Sequence, residues 1–336
     1  NGIVAVPPSA SRSNSARAAP SSGRETATET PDCTCPFGSV GSANWGGASD
    51  PISRAPSGVS FAGATGNTGS AAFTGQVTDA ALAQGAIDAN LLGVDAGDKV
   101  TFAIVINNNG TGNHGAFDVQ FRDTLPAGFG IPADLTGLNL KVTTGNGTPV
   151  AYTMIGSGLF DGGIRLTDNG ASGAITPDVD GSGTEGTSTS DIIIITYDLV
   201  ALQTVQPSQT WTNTVTLFNY AAQPGGTDFT DTDLTDTSTV TTRAPDIAKV
   251  VTGTSHSFTN GTNLAIGETV TFRVTVTLPE GSINNLKLSD ILPATSASIL
   301  TPISATLVSV GNGISGAGIP AIGSAATLSG QTFSFD

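Results

Sequence analysis

Large apolar residues alternate with other residues over several short stretches of the chain. They fall at every second position over residues 100–106 and again over 117–121. A period of two residues is typical of a β-strand with one buried face. Residues 192–195 are all isoleucine, as in a strand that is covered on both faces. No stretch shows a convincing helical period, so the sequence predicts an all-β fold with room for one short helix at residues 78–92.

Residues 1–55 differ from the rest, since they are rich in Ser, Ala, Pro and Arg and have little periodicity. This composition predicts an extended N-terminal arm or linker that precedes the folded part of the chain. The arm begins with a strand-like apolar run at residues 2–6 and contains both cysteines, Cys33 and Cys35. We interpret the cysteines as surface thiols or a small local disulfide, with a redox or metal role as the alternative.

Two motifs recur in the same order along the chain. Gly-Asp-Lys-Val-Thr-Phe at residues 97–102 returns as Gly-Glu-Thr-Val-Thr-Phe at 267–272, which is 170 positions later. Asp-Thr-Leu-Pro-Ala at 123–127 returns as Asp-Ile-Leu-Pro-Ala at 290–294, which is 167 positions later. Because the two offsets are nearly equal, the motifs indicate an internal repeat.

The repeat predicts one domain at residues 56–243 and a second at 244–336. Three further segments belong to the same pattern: Ile195-Thr196-Tyr197, Trp211-Thr212-Asn213-Thr214-Val215 and Ala244-Pro245-Asp246-Ile247-Ala248-Lys249. Together with the recurring motifs, they resemble the bacterial surface-protein repeat often called DUF11, an immunoglobulin-like β-sandwich found in tandem on large secreted proteins. The resemblance implies tandem immunoglobulin-like β-sandwiches with a structural or adhesive role at the cell surface, and it brings no catalytic residues.

The second copy of the repeat is shorter than the first. Ile192 and Asn213 lie 69 and 90 residues after Asp123, whereas 46 residues follow Asp290. We therefore expect the strands equivalent to those around Ile192 and Asn213 to be absent, which exposes apolar faces and unpaired backbone groups. Three explanations are open: a fragment of a longer polypeptide, a shorter domain that closes in its own way, or a domain completed by a strand of a neighbouring subunit.

The net charge of −15 comes from 12 Lys and Arg against 27 Asp and Glu. Because nucleic-acid binding needs clustered cations, we expect no nucleic-acid partner. No apolar run approaches the roughly 20 residues of a membrane helix, so we expect no membrane insertion. High acidity and scarce cysteine suit an extracellular or bacterial cell-surface protein.

One segment resembles the start of a calcium-binding loop. Asp178, Asp180 and Ser182 supply oxygen ligands at positions one, three and five, and a glycine follows at position six. Position twelve, where a bidentate glutamate belongs, is Thr189. Calcium binding is therefore one interpretation and a solvated turn between strands is the other. We expect no other metal and no cofactor.

Lys99 and Lys249 invite comparison with surface domains that form a Lys–Asn isopeptide bond. That reaction needs a neutral buried lysine, an Asn amide and a carboxyl group in apolar surroundings. Asn213 lies on a predicted strand, but Lys99 follows a turn and Lys249 lacks the corresponding last strand, so we expect no such bond. His114 and His256 lie near no nucleophile motif, so we expect no enzyme activity.

Asn109, Asn146 and Asn260 each begin an Asn-Gly-Thr sequence. This sequence fits both the favoured hairpin turn and the N-glycosylation pattern. We expect turns at all three positions, a reading that is compatible with glycosylation.

These observations predict a non-enzymatic structural subunit of a bacterial extracellular filament or cell-surface stalk. Copies of the chain would form a homopolymer head-to-tail, with strand exchange as a route to assembly. The alternative is an adhesin module that binds a surface glycan or protein ligand through loops at the sandwich ends. Exposed aromatic residues in one set of loops would favour the adhesin, and Trp45 is the lone candidate.

Overall fold

The computed structural model describes residues 37–40, 60–62, 90–108, 115–133, 137–176, 191–230, 232–259, 263–293 and 299–336. Apart from one 3-10 turn at Gly170–Ser172, the regular structure of these residues is β-strand throughout. The predicted all-β fold is therefore confirmed. Most of the short helix expected at residues 78–92 lies outside the described residues, and its last three positions belong to a strand.

The strands in chain order are β1 (Phe37–Val40), β2 (Ser60–Ala62), β3 (Asn90–Val94), β4 (Lys99–Asn107), β5 (Phe117–Thr124), β6 (Phe129–Gly130), β7 (Lys141–Thr144), β8 (Tyr152–Ile155), β9 (Gly163–Leu166), β10 (Ile192–Ala201), β11 (Thr210–Ala221), β12 (Leu234–Thr242), β13 (Asp246–Thr254), β14 (Val270–Thr277), β15 (Leu288–Ile291), β16 (Thr327–Ser329) and β17 (Thr332–Phe335).

Two sheets form an immunoglobulin-like β-sandwich, as the resemblance implied. One sheet has the order β1-β4-β10-β6, with β7 also pairing with β10. The other has the order β2-β3-β12-β11-β5-β9-β8. Within these two sheets the pairs are antiparallel, except that β3 runs parallel to β12.

Apolar side chains from both sheets meet in one core. Strand β10 contributes every second residue to it, and its intervening isoleucines Ile192 and Ile194 are buried as well. The prediction of a strand covered on both faces is thus confirmed. Phe102 stacks on Tyr197 with ring centroids 5.4 Å apart, and Phe129 packs edge-on against Phe102 at 6.0 Å.

The remaining strands form two smaller sheets. Strands β13 and β14 make a two-stranded antiparallel sheet, and β15, β17 and β16 make a three-stranded one. By compactness the chain divides into Asn1–Ser282 and Ile283–Asp336, so β13 and β14 fall with the sandwich. The domain boundary expected between residues 243 and 244 stays a prediction about the repeat.

The turns before β4 and β14 have the same geometry. Gly97 and Gly267 both have φ of 84°. Asp98 donates its backbone N–H to Asp95 O at 3.2 Å, and Glu268 donates to Ala265 O at the same distance. In each turn the acidic side chain accepts the N–H three residues back, at 2.7 Å for Asp98 and 2.8 Å for Glu268. The recurring sequence therefore forms the same local structure twice.

Candidate functional site

Three polar side chains meet in the middle of the sandwich core. Asp123 lies on β5 and Asn213 on β11, both in the seven-stranded sheet, while Tyr197 reaches them from β10 in the facing sheet. Their exposed fractions are 3%, 2% and 0%. We call Asp123, Tyr197 and Asn213 the core polar cluster.

Hydrogen bonds connect all three members of the core polar cluster. The Tyr197 hydroxyl donates to Asp123 Oδ2. The Asn213 amide donates to the same oxygen at 3.0 Å and to the Tyr197 hydroxyl oxygen at 2.8 Å. Asp123 Oδ1 accepts the backbone N–H of Thr124 at 2.6 Å. Both carboxyl oxygens are therefore satisfied, as a buried polar group requires.

Burial governs the ionisation of this cluster. It raises the pKa of Asp123 to about 6, although hydrogen bonds from Tyr197, Asn213 and the Thr124 backbone act in the opposite direction. The pKa of Tyr197 is raised well above its usual value, first by burial and then by the adjacent Asp123. Tyr197 therefore keeps its proton and serves as a hydrogen-bond donor, whereas Asp123 loses its proton as the pH rises through about 6.

Strand β12 adds a fourth polar group beside the cluster. Ser238 is the cross-strand neighbour of Asn213 and is equally buried. Neither Ser238 Oγ nor Asn213 Oδ1 has a hydrogen-bond partner among the described residues. Both atoms are therefore buried polar atoms without a partner, and each such atom weakens a fold by about 1–3 kcal/mol.

The arrangement of the core polar cluster supports a structural role rather than a catalytic one. Its oxygens lie between two packed sheets rather than on a surface that a substrate reaches. The bonds of Tyr197 cross from one sheet to the other, so the cluster fixes how the two sheets are aligned.

A second buried carboxylate, Asp198, follows Tyr197 on β10. It accepts hydrogen bonds from Thr101 Oγ1 at 2.6 Å and Asn139 Nδ2 at 3.1 Å, and Lys99 Nζ lies 3.7 Å from its Oδ2. Lys99 is thus paired with Asp198, while the Asn213 amide is bonded within the core polar cluster. The structure therefore does not bring Lys99 and Asn213 together for an isopeptide bond.

Lys249, the other lysine considered, lies on β13. Its Nζ is 4.6 Å from the centroid of the Phe272 ring on β14, a cation–π arrangement.

A third polar group surrounds Asp118, a residue of β5 with φ of 53°. Its carboxylate contacts Arg165 and accepts the Gly225 N–H at 2.6 Å, while its own N–H donates to Asp168 Oδ1 at 3.0 Å. Asn219 Nδ2 donates to its carbonyl oxygen at 2.6 Å, where the pairing of β5 with β11 changes register. The group stabilises an irregular stretch of strand.

The other candidate residues are distributed as follows. Asp178, Asp180 and Ser182 lie outside the described residues, as do Cys33, Cys35, Trp45, Asn109, His114 and Asn260. The calcium site stays a prediction.

Within the described ranges, no group of three or more His, Cys, Asp or Glu residues is arranged to hold a metal ion. In the same ranges, no helix is long and apolar enough to cross a membrane.

Asn146 lies in an exposed turn that follows β7. Its Oδ1 accepts the backbone N–H of Thr148 at 3.1 Å and the Thr148 hydroxyl at 2.8 Å. The turn expected for Asn-Gly-Thr is therefore present at this position. His256 stacks on Phe258 with ring centroids 5.1 Å apart, on the connection after β13.

The sequence did contain a signal for the core polar cluster, which sequence analysis missed. Asp123 continues the inward phase of Phe117, Val119 and Phe121 along β5, so it occupies a core position. Tyr197 continues the phase of Ile193 and Ile195 in the same way. Such a cluster is indicated by a polar residue at a position where the alternation of the strand places apolar residues.

Comparison with known proteins gives no family assignment. No protein-family model matches the chain. No curated protein matches it significantly. The resemblance to DUF11 repeats therefore stays a prediction.

Solved structures that show similarity to this chain include pilus proteins and an adhesin. The major pilin subunit BcpA of Bacillus cereus is 10% identical with a TM-score of 0.28, and the match covers 56% of this chain and 52% of that one. The full-length RrgB pilus protein of Streptococcus pneumoniae is 12% identical with a TM-score of 0.27, over 79% and 39%. The collagen adhesin of S. aureus is 14% identical with a TM-score of 0.25, over 53% and 47%.

The match spans about half the length of the Bacillus pilin. With TM-scores below 0.3, these likenesses do not transfer an activity or a partner to this chain.

Proposed function

We propose that this chain is a non-enzymatic structural subunit of a bacterial extracellular filament or cell-surface stalk, and that copies assemble head-to-tail. The observation that carries the proposal is the apolar surface of the β13–β14 sheet. Ile247 and Val251, which lie on one face of β13, are 59% and 39% exposed. Exposed apolar sheet surfaces of this kind recruit another chain.

The opposing strand β14 has the same character. Its residues Val270, Phe272, Val274 and Val276 share one face and are half-buried, while the residues between them are exposed. Ile247, Lys249 and Val251 lie opposite Val276, Val274 and Phe272 in the register of the pair. The sheet thus has one largely apolar face, which a further strand or sheet would cover.

In the proposed filament, the cover is the N-terminal arm of the next subunit. The apolar run at residues 2–6 is the segment that we assign to this contact. Arm and acceptor are different surfaces of the chain, so the contact is heterologous and propagates into an open filament. Addition of a strand to an exposed sheet edge is an established mode of assembly.

A structural role also agrees with the sandwich itself. Its most unusual polar residues, those of the core polar cluster, are enclosed between two sheets and connect them. The net charge of −15 limits non-specific association between neighbouring filaments or cells.

Electron microscopy and sedimentation of the full chain test the proposal, using two substitutions on one strand. Ile247→Asp places a charge on the apolar face of β13, whereas Ala248→Asp places the same charge on the opposite face, since successive residues of a strand alternate. We expect filaments from the original chain and from the Ala248→Asp variant, and monomers from the Ile247→Asp variant.

Deletion of residues 1–36 tests the arm separately, because it removes the apolar run at residues 2–6 and keeps β1, which pairs with β4 in the sandwich. We expect the shortened chain to be monomeric and folded by circular dichroism. Filaments of unchanged stability after deletion of residues 1–36 would refute the assignment of the arm. A monomeric intact chain that binds a glycan or a protein would instead favour the adhesin alternative.

A further inference from the structure

The pairing of β13 with β14 repeats the pairing of β1 with β4. Strands β4 and β14 are related by the sequence repeat, whose offset of 170 makes Val276 the counterpart of Ile106. Phe37 of β1 lies opposite Ile106, and Ile247 of β13 lies opposite Val276. The next three pairs continue in step in both sheets. Strand β13 therefore holds the position of β1, and β14 holds the position of β4.

This correspondence distinguishes the two edges of the β13–β14 sheet. In the sandwich, β1 is the last strand of its sheet, whereas β4 lies between β1 and β10. The outer edge of β13 thus corresponds to the end of a sheet, and the outer edge of β14 corresponds to the edge of β4 that β10 covers. Within the described ranges, β14 pairs with β13 alone. Because an edge strand presents unpaired N–H and C=O groups, the outer edge of β14 is where a further strand fits.

Strand β10 shows which kind of strand this edge takes. It runs antiparallel to β4 and places Ile195 opposite Ile104, with both side chains in the core. The repeat counterpart of Ile104 is Val274, which lies on the half-buried apolar face of β14. We therefore expect the added strand to run antiparallel to β14 and to place apolar side chains beside this face.

The N-terminal arm contains a run of this kind. Residues 3–6 are Ile-Val-Ala-Val, four successive apolar residues, and residues 192–195 of β10 are also four successive apolar residues. Two prolines follow at residues 7 and 8. Because proline has no N–H to donate to a ladder, they end the pairing after Val6. Val4 and Val6 share one face of such a strand, since successive side chains alternate.

We propose that residues 3–6 of a second copy of the chain add to the outer edge of β14 as an antiparallel strand, in the register that residues 192–195 hold on β4. Val6 then lies opposite Val274, on the apolar face. This inference rests on the proposed head-to-tail filament and names the edge, the direction and the register of its contact. Main-chain hydrogen bonds to β14 hold the added strand, and the apolar face determines which of its side chains point inward.

Disulfide trapping in the full chain tests the edge and the register. The background carries Cys33→Ser and Cys35→Ser, so that the introduced cysteines are the only ones. Ala5→Cys is combined with Thr275→Cys, which lies directly opposite it in the proposed register. The control combines Ala5→Cys with Ala248→Cys, since Ala248 is the exposed neighbour of Thr275 on β13. A strand added to β14 lies about 10 Å from β13, whereas a disulfide needs Cα atoms within about 7 Å.

After mild oxidation, we expect the pair with Thr275→Cys to give a ladder of disulfide-linked multimers that collapses to monomer on reduction. The control pair should give monomer. Equal ladders from both pairs would overturn the assignment to β14. A disulfide within one monomer would overturn the second copy as the source of the strand. Filaments in electron microscopy without the Thr275→Cys ladder would overturn this inference and leave the head-to-tail filament in place, whereas the absence of filaments would count against the filament itself.

Two single substitutions in the arm test which of its side chains point inward. Val6→Asp places a charge against the apolar face of β14, and Ala5→Asp places the same charge on the opposite face. We expect Val6→Asp to raise the concentration needed for filaments by more than about tenfold, because an unpaired charge on a covered apolar surface is disfavoured. Ala5→Asp should leave this concentration nearly unchanged. The reverse order of the two effects would overturn the proposed register.

Discussion

Strands β4 and β14 start from the same kind of turn but lie in different surroundings. Phe102 on β4 is 1% exposed and stacks on Tyr197, whereas its repeat counterpart Phe272 on β14 is only half-buried. In the described part of the chain, β4 pairs with β1 and β10, and β14 pairs with β13 alone. The local sequence therefore determines the turn and the strand, while burial depends on which strands are present to cover it.

The same contrast holds for the second recurring motif. Asp123 at the end of β5 is enclosed by Tyr197 and Asn213, and its counterpart Asp290 on β15 is half-buried. In both copies the motif places an acidic residue at the last position but one of a strand, and this residue is buried in the core where β10 and β11 are present.

Removing the repeat-equivalent phenylalanines should give the largest difference. Phe102→Ala leaves a cavity in a closed core and should lower the free energy of unfolding by about 3–5 kcal/mol. Phe272→Ala removes a half-exposed ring and should cost about 1 kcal/mol. Urea titration of both full-length variants measures the two values. Equal losses would mean that β14 is as well covered as β4 in solution.

Titration of Asp123 should give an effect of intermediate size. Its pKa of about 6 in the folded protein lies above the ordinary value, so the folded state binds the proton more tightly. The contribution of Asp123 to stability is then fully present below about pH 4, falls as the pH rises through 6, and decreases by about 2–3 kcal/mol in total. We expect the Asp123→Asn variant to lose correspondingly less stability between pH 4 and pH 6.5.

Urea titrations at several pH values measure this difference. Asp290→Asn is the matched control, because it removes the equivalent acid of the second copy. If Asp123→Asn leaves the pH profile of the original chain unchanged, the carboxyl of Asp123 is not the group that titrates.

Replacing the glycine of either turn by alanine should lower the stability by the same amount, and this is the smallest of the three expected effects. Alanine at Gly97 or Gly267 is forced into the left-handed region, so each substitution should cost about 1 kcal/mol. A Cβ atom added at Gly97 would lie 3.3 Å from Nε2 at the flexible end of Gln203. A Cβ atom added at Gly267 would have no heavy atom of the described residues within 4 Å. Gly313→Ala, in an open turn without positive φ, is the control and should be nearly neutral. A large difference between Gly97→Ala and Gly267→Ala would show that the two turns are not equivalent.

The sequence predicted those strands whose apolar phase is regular. Strands β4, β5, β10 and β11 follow from alternation or from an unbroken apolar run, because their side chains must match a two-residue period to reach the core. The repeat predicted the turn at Gly267 from the one at Gly97, because a turn depends on a few adjacent residues.

The candidate site was harder to predict, since it depends on contacts between distant residues. Asp123 and Tyr197 are 74 positions apart and meet because two sheets stack in one particular alignment. The apolar phase placed each residue in the core, but it does not state which residue faces which across the sandwich. The hydrogen bond from Ala96 N–H to Glu280 O, at 3.3 Å, could not be predicted for the same reason, because it joins backbone atoms of two loops.

The parallel pairing of β3 with β12 has a consequence for a molecule under tension. Among the strands that contribute to the core cluster, β3 is the first in the chain and β12 the last, and Leu91 lies beside Val240 while Val94 lies beside Thr242. Once β1 and β2 have detached, a pull on the two ends of the chain draws these parallel neighbours along their length in opposite directions. The hydrogen bonds between them share the load and must break together, rather than one after another as in a peeled hairpin. A stalk built from such sandwiches would resist stretching by shear, and its lifetime under force would be governed by the rate of unfolding.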